Sequence, residues 1–213
     1  MAIFLGLGAN QGDRAGQISQ AIARLQVAGF RIETVSPVVE SPALLPFDAK
    51  PSWNQPYLNC VVKGQADWEP LIGLGIIKRI EEEIGRRPSE RWAPRPIDVD
   101  ILIWHDLEFH SPDLTIPHIG IKDRSFVLSP LNYLAPNLVV PGLNQRVFEL
   151  SRNVPLIPLW MGILNVTPDS FSDGGQWLEM DSFSEHVDEM VNQHVQILDI
   201  GGESTPPICK EYT

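Results

Sequence analysis

The chain opens on a short apolar run, Ala2 to Leu7, closed by glycines, a pattern that suits a buried strand better than a helix. After a loop over Gly8 to Arg14, Ile18, Ala21, Ile22 and Leu25 recur at helical spacing, and Gly29 stands where a helix would stop. Ile32 to Val39 alternates and is β-branched, so it reads as a strand; Glu40 to Pro56 is rich in proline, lacks a period and reads as a long loop. Loops of this length inside a domain are often functional. Leu58 to Val62 gives a third strand, and Glu69 to Ile84 a second helix with Ile72, Ile76, Ile80 and Ile84 on one side. Gly73 and Gly75 weaken that helix by about 1 kcal/mol each relative to alanine. Gly85 to Pro96 is a basic loop punctuated by proline, and Ile97 to Trp104 is a fourth strand.

The order strand, helix, strand, strand, helix, strand is the split βαβ or ferredoxin-like pattern of an α+β domain. Beyond it, Leu107 to Pro141 reads as irregular, with a short helix near Phe126 to Leu134. A second unit begins near Pro158: Leu159 to Val166 reads as a buried strand, Ser182 to His194 as a helix and Ile197 to Ile200 as another strand, a single βαβ step. The expected division is residues 1–157 and 158–213.

A hydrophobic fraction of 43% and a charged fraction of 20% suit a chain that buries a real core. The net charge of -11 argues against a duplex nucleic-acid partner, which requires basic surface to release counterions, but leaves room for a local basic cluster around a small phosphorylated ligand. Cys60 and Cys209 form no CxxC pair, so neither a disulfide framework nor a zinc site is indicated. The N-terminus has no basic segment before its apolar stretch and no run reaches membrane-spanning length, which places the expected location in the cytoplasm with no membrane partner.

Asp98 and Asp100 sit two apart on a predicted strand, so their carboxylates share a face about 7 Å apart at the backbone. Such a pair either holds hard divalent cations together with substrate phosphates or is a solvent-facing pair on an edge. Ile97, Val99 and Ile101 point the other way and read as core. The loop before supplies Arg86, Arg87, Arg91 and Arg95, with Lys78 and Arg79 upstream. Guanidinium groups grip phosphate oxygens bidentately, which suits a nucleotide polyphosphate; the alternative is a solvated charge run paired with Glu81, Glu82, Glu83 and Glu90. Gly6, Gly8 and Gly12 are spaced G-x-G-x-x-x-G, not as a dinucleotide fingerprint, and no P-loop or protein-kinase motif occurs. Tyr57, Asn59 and Phe126 suit a flat heterocycle, by stacking and by pairing with its edge, or are ordinary core residues. His118 suits phosphate or ribose contact, or a structural role.

Taken together, the stretch from Arg91 through Trp92, Pro94, Arg95, Pro96, Asp98 and Asp100 to Ile101 resembles the signature of the 6-hydroxymethyl-7,8-dihydropterin pyrophosphokinases. Gly6-Leu7-Gly8-Ala9-Asn10, Tyr57-Leu58-Asn59, Ile116-Pro117-His118 and Arg124-Ser125-Phe126 match as well, and the resemblance covers about residues 1–157. It implies a transfer of pyrophosphate from ATP to 6-hydroxymethyl-7,8-dihydropterin. Asp98 and Asp100 would hold two Mg2+ ions, with Arg91 and Arg95 beside them as catalytic residues. Arg86, Arg91, Arg95, His118, Arg124 and Glu81 would serve ATP. Tyr57 and Phe126 would sandwich the pterin, with Asn59, Gly8, Ser41, Pro42 and Leu44 around its edge. Lys78 stands where many relatives have glutamine.

The second segment resembles the opening of dihydropteroate synthase, through Gly162-Ile163-Leu164-Asn165-Val166-Thr167-Pro168-Asp169-Ser170-Phe171 and Asp199-Ile200-Gly201-Gly202-Glu203-Ser204-Thr205. The resemblance implies a vestigial synthase site at Asn165, Asp199 and Thr205. That synthase is a (β/α)8 barrel of about 250 residues, whereas only residues 158–213 remain here. The expectation is a bifunctional protein cut short, without synthase activity, and with apolar strand faces left exposed. Its full-length relatives are expected to oligomerise through the synthase domain. Competing functional classes are a ferredoxin-like module that binds RNA or protein without catalysis, and a first domain turned scaffold. The acidic balance and the Asp98/Asp100 pair weigh against the former, and the retained aspartates and aromatics against the latter.

Overall fold

The computed structural model describes residues 2–155, 157, 160–165, 180–192, 195 and 197–201. Two compact units are present, residues 1–157 and 158–213.

In the first unit β1 (Ile3–Ala9) leads through α1 (Arg14–Val27) to β2 (Arg31–Val35) and β3 (Val39–Ser41). A 3-10 turn over Pro51–Trp53 then precedes β4 (Tyr57–Gln65), α2 (Pro70–Glu83) and β5 (Asp98–Trp104). Asp13 caps α1 by accepting from the Gly16 amide at 3.0 Å, and Gly29, at φ +97°, turns the chain out of it. The expected order of elements holds, with one correction. The strand expected over Ile32 to Val39 is two strands, because Pro37 lacks the amide that would continue the ladder. Strand order is β2-β4-β1-β5, with β3 also on β4, and neighbouring strands run antiparallel.

β1 alternates in use as well as in sequence. Ile3, Leu5, Leu7 and Ala9 enter one core with Ile18, Ala21 and Leu25 of α1 and Ile77 and Ile80 of α2. Phe4 enters a second core on the opposite sheet face, with Val61, Leu102 and Ile103. A register shift in the β1–β5 ladder places Leu102 and Ile103 together in that second core and returns Trp104 to the first. The second core is closed by α3 (Ser125–Leu134) and α4 (Val147–Ser151), which supply Val127, Leu128, Leu131, Val147 and Leu150. The stretch expected to be irregular also carries the short ribbon of β6 (Phe109–His110) with β7 (Thr115–Ile116), and β8 (Val139–Val140) near its end pairs with β9 (Gln145–Arg146) beyond it. Two-residue strands are too short to show alternation.

The face expected for α2 needs correction at one position, Ile72. Ile72 is 61% exposed, and the residues that bury are Gly73, Ile77, Ile80 and Glu81. Gly73 is the cause: the Trp104 ring lies where a side chain would begin, its Cη2 2.8 Å from the Cβ that another residue would carry. The helix seats through its glycine, which turns Ile72 outward, while Ile80 is buried and Ile76 and Ile84 are partly buried against the first core as expected.

In the second unit β10 (Met161–Asn165) pairs in parallel with β11 (Ile197–Gly201), Met161 opposite Ile197 and Asn165 opposite Gly201, with α5 (Met180–Asn192) between them in sequence. This is the expected βαβ step. Ile163 and Ile200 are about half exposed.

Two outcomes follow from the packing. Gly73→Ala forces its methyl against the Trp104 ring and should lower unfolding free energy by about 1–3 kcal/mol, the range for an overpacked core, as read from a urea melt. Cys60 is buried between β1 and the helices, and burial pushes its thiol up to about 12. Peptide mapping after alkylation at pH 8 should therefore find Cys60 unmodified in the folded chain and modified in denaturant; rapid labelling of the native protein would contradict this packing.

Candidate functional site

On the sheet face away from α1 and α2, β1 presents glycine where its neighbours present side chains. Gly8 lies opposite Asn59 of β4 on one side and Asp98 of β5 on the other; Gly6 lies between Val61 and Asp100 in the same way. With strands about 4.8 Å apart, Asn59 and Asp98 flank a strip of bare backbone about 9–10 Å across. A methyl on Gly8 would approach Asn59 Oδ1 to 3.1 Å and the Tyr57 ring to 3.5 Å. The glycines thus keep the floor of a cleft of about 320 Å³ open. Their spacing, which does not fit a dinucleotide fingerprint, is that of successive positions on one strand face.

One wall is aromatic and amide. Tyr57, Asn59, Gly8, Ser41, Pro42 and Leu44 all line the cleft, as does Phe126 from the first turn of α3. Asn59 and Ser41 are buried, and the Asn59 amide donates to Ser41 Oγ at 3.0 Å, which fixes the orientation of that side chain. Burial raises the Tyr57 phenol, so it stays neutral.

The other wall is charged, with Asp98, Asp100, Lys78, Arg86, Arg91, Arg95, His118 and Arg124. Asp98 Oδ1 accepts from Arg86 Nη1, and Asp98 Oδ2 from Arg95 Nη1 at 3.2 Å. Arg124 Nη1 stands 3.6 Å from Asp100 Oδ2, with its guanidinium 5.7 Å from the centre of the Phe126 ring. Burial, and next to it the Asp98 carboxylate, push Asp100 up. Burial pushes His118 down against the pull of Asp100, so the ring is neutral at pH 7. Its Nδ1 accepts from the Gly120 amide at 3.0 Å, which leaves the proton on Nε2, 3.8 Å from Asp100 Oδ2. The residue sits just after the cis Ile116–Pro117 peptide bond.

Glu81 lies behind the cleft. Its side chain is 1% exposed and its oxygens are already engaged: Oε1 accepts from the Val99 amide at 2.8 Å and from Arg86 Nη1 at 2.6 Å, and Lys78 Nζ lies 2.9 Å from Oε2. Burial pushes its carboxyl up, opposed by Lys78, the Val99 amide and Arg86. Val99 is the residue between the two aspartates, so Glu81 fixes the backbone from which both project.

Of the remaining charges, Arg87 donates to the Glu82 and Arg86 carbonyls at the end of α2, Glu83 pairs with Arg24, and Glu90 with Lys50. Glu83 and Glu90 thus take partners outside the run, and of the pairing expected for a solvated run the described residues show that of Lys78 and Arg86 with Glu81, both while lining the cleft. Sequence reasoning gave no role to Asn10. Its Oδ1 accepts from the Arg95 amide at 2.8 Å, its own amide donates to the Arg95 carbonyl at 3.2 Å, and its Nδ2 donates to the Gln55 carbonyl at 3.3 Å. It ties the arginine loop to the end of the long loop before Tyr57; a polar residue directly after a buried strand was the available signal. Trp92 also lines the cleft, with Arg91 5.1 Å from its ring centre. In the second unit Asn165 ends β10, Asp199 is exposed on β11, and Thr205 lies outside the described residues.

Comparison with known proteins agrees with this division. Residues 161–212 match the model of the family described as pterin binding enzyme. The folic acid synthesis protein fol1 of Schizosaccharomyces pombe is 39% identical over 221 residues, 96% of this chain and 29% of that protein. The folate synthesis bifunctional protein of Chlamydia trachomatis is 35% identical over 227 residues, 98% of this chain and 50% of that protein. The chain thus spans half or less of the length of these relatives. Among solved structures, an HPPK-DHPS in complex with substrates superposes with a TM-score of 0.56 at 17% identity, over 100% of this chain and 58% of that one. Wild-type Plasmodium falciparum HPPK-DHPS with pteroate gives 0.55 at 18%, over 100% and 57%; both show likeness of fold. With the cleft built on the first unit, and residues 4–136 matching the model of that family, the chain belongs to the 7,8-dihydro-6-hydroxymethylpterin-pyrophosphokinases (HPPK).

Proposed function

We propose that the first unit transfers the pyrophosphoryl group of ATP to 6-hydroxymethyl-7,8-dihydropterin, giving AMP and the pterin diphosphate in folate biosynthesis. The observation that carries this reading is the row Asn59, Gly8, Asp98 across three adjacent strands. It sets a heterocycle-reading amide and a carboxylate pair on either side of an open floor, the separation a small alcohol and a polyphosphate need to meet.

Asp98 and Asp100 offer hard oxygen donors on one strand face, and no cluster of three or more His, Cys, Asp or Glu side chains able to hold an ion occurs among the described residues. Such a donor set fits magnesium, which is held by one or two carboxylates and otherwise by waters and substrate phosphates. Bound there, two magnesium ions would neutralise charge on the phosphates as the transfer proceeds. Arg86, Arg91, Arg95 and Arg124 grip and align the polyphosphate. The Nε2–H of neutral His118 adds an uncharged donor. Tyr57 and Phe126 hold the pterin ring by stacking, and Asn59, Ser41 and the backbone near Pro42 and Leu44 read its edge. In that alignment the pterin hydroxyl oxygen bonds to the β-phosphorus while its proton passes to solvent water, the bond from that phosphorus to the α–β bridging oxygen breaks, and AMP leaves with the electron pair on its phosphate. The work is positioning and charge compensation.

An RNA-binding module of the same element order would use its open sheet face for stacking bases. Here α3 covers that face beside the cleft, and the exposed strip carries glycines and carboxylates. We read the second unit, on the strength of its parallel βαβ step and its match to the pterin-binding enzymes, as the first step of a (β/α)8 barrel.

Incubated with ATP, Mg2+ and the hydroxymethyl-dihydropterin, the chain should release AMP. Asp98→Ala and Asp100→Ala should each slow it on the order of 10²–10³-fold, the size of losing one preorganised electrostatic contact; undiminished AMP release by both variants would refute the assignment. Glu81→Ala leaves the buried Val99 amide unsatisfied, while Arg86 keeps Asp98 and Lys78 turns to solvent, and should cost about 1–3 kcal/mol of folding stability, measured by denaturant titration. A variant as stable as the parent would mean that Glu81 is not the anchor of the site.

A further inference from the structure

Resting on the proposed pterin reading, we infer that Arg14 is a positioning residue for that substrate. Its guanidinium closes the base of the loop over residues 42–55 and so holds Ser41 and Tyr57 at the separation from which they meet the pterin.

The strand ladder stops where the pterin wall begins. β3 pairs with β4 as Val39 with Asn59, Glu40 with Leu58 and Ser41 with Tyr57. One step further the same register would set Pro42 against Pro56, and neither has an amide hydrogen to donate. The chain opens there into residues 42–55, and the last rung is a pair of residues that line the cleft. An end rung without a successor frays unless another group holds it.

Arg14 supplies that group. Its Nη1 donates to the Pro56 carbonyl at 2.9 Å and lies 2.9 Å from Glu40 Oε2. One nitrogen thereby bridges both strands, at Glu40 directly before Ser41 and at Pro56 directly before Tyr57. The carbonyl it takes is one that Pro42, opposite, has no hydrogen to satisfy. Arg14 is itself anchored as the first residue of α1: Asp13 caps that helix, and the Arg14 amide donates to the Gly12 carbonyl at 3.0 Å.

This placement separates the two substrates. Asn10 also reaches the base of the loop, at the Gln55 carbonyl, but its other bonds hold the arginine loop. The side-chain bonds of Arg14 go to Glu40 and Pro56 alone among the described residues. The charged wall stands on β5, α2 and the loop between them, so loss of the Arg14 clip loosens the amide and aromatic wall and leaves the phosphate grip as it is.

Steady-state kinetics of AMP release by the full chain test this. Arg14→Ala should raise KM for the hydroxymethyl-dihydropterin on the order of 10-fold, the size of losing a hydrogen bond from a charged donor. KM for ATP and kcat should stay within about twofold of the parent, as when binding of one substrate alone is weakened. Arg14→Lys, which keeps a cationic donor, should restore most of the loss. Glu40→Gln, which leaves the Pro56 contact in place, should raise the same KM less than Arg14→Ala does. Chymotrypsin gives a readout independent of turnover: Phe47 is fully exposed within the loop, and cleavage after it should be faster in Arg14→Ala than in the parent. A role in folding alone would move both KM values together, or neither, at a shifted urea midpoint. Either result overturns the inference, as does a cleavage rate after Phe47 equal to that of the parent. If the parent releases no AMP from these substrates, the function proposed above fails, and cleavage after Phe47 still decides whether Arg14 closes the loop.

Discussion

A buried carboxylate has to be partnered, and in this domain the partners of Glu81 are the parts of the site. Its oxygens hold the Val99 amide between the two aspartates, the guanidinium of Arg86 at the head of the basic loop, and the ammonium of Lys78 one turn earlier on α2. A charge in this position costs several kcal/mol unless it is fully satisfied. The same need for satisfaction fixes the distance between helix, loop and strand. The seating of α2 makes it possible: Gly73 lets the helix settle against Trp104, which turns Glu81 inward and Ile72 outward. A glycine selected for packing thereby determines which face of the helix carries a charge into the core.

The cleft depends equally on what β1 omits. One face of that strand is filled by Ile3, Leu5, Leu7 and Ala9 and holds the helices on. The other, after Phe4, has only Gly6 and Gly8, in register with the aspartates on one side and with Asn59 and Val61 on the other. Pleating turns a sequence alternation into a division of labour, in which the side-chain face supplies stability and the bare face supplies access. Asn10, directly after the same strand, then fastens both flanking loops through hydrogen bonds between its side-chain amide and their backbones.

Much of this was legible beforehand, because strand periodicity is local. The alternation from Ile97 to Ile101 placed Asp98 and Asp100 opposite a buried row, and the structure has Ile97, Val99 and Ile101 in the core. Ile103 broke the pattern, since a bulge is a property of the ladder and not of one strand. The exposure of Ile72 on α2 was missed for a similar reason: isoleucines at helical spacing outweigh a glycine until the Trp104 ring is known to lie against it. The arginines of the basic loop looked alike in sequence; tertiary pairing separates Arg86 and Arg95, which meet Asp98, from Arg87, which closes the end of a helix. Composition and spacing did not separate Glu81 from Glu82 and Glu83; the family resemblance gave it a role with ATP, and burial shows it behind the cleft, holding the Val99 amide.

The acidity of the whole chain, -11, says little about the field inside the cleft. Lys78, Arg86, Arg91, Arg95 and Arg124 all line it, and charges on remote surfaces are screened over a Debye length of about 8 Å at physiological ionic strength. What opposes an incoming polyphosphate is therefore local, namely Asp98 and Asp100, and what relieves that opposition must also be local. The arginines alone cannot do so, since two of them are already spent on Asp98. Under the proposed function, a cation carried in with the phosphates would offset that charge at Asp98 and Asp100 themselves, so an acidic chain would need no basic surface beyond the cleft to hold a highly charged anion.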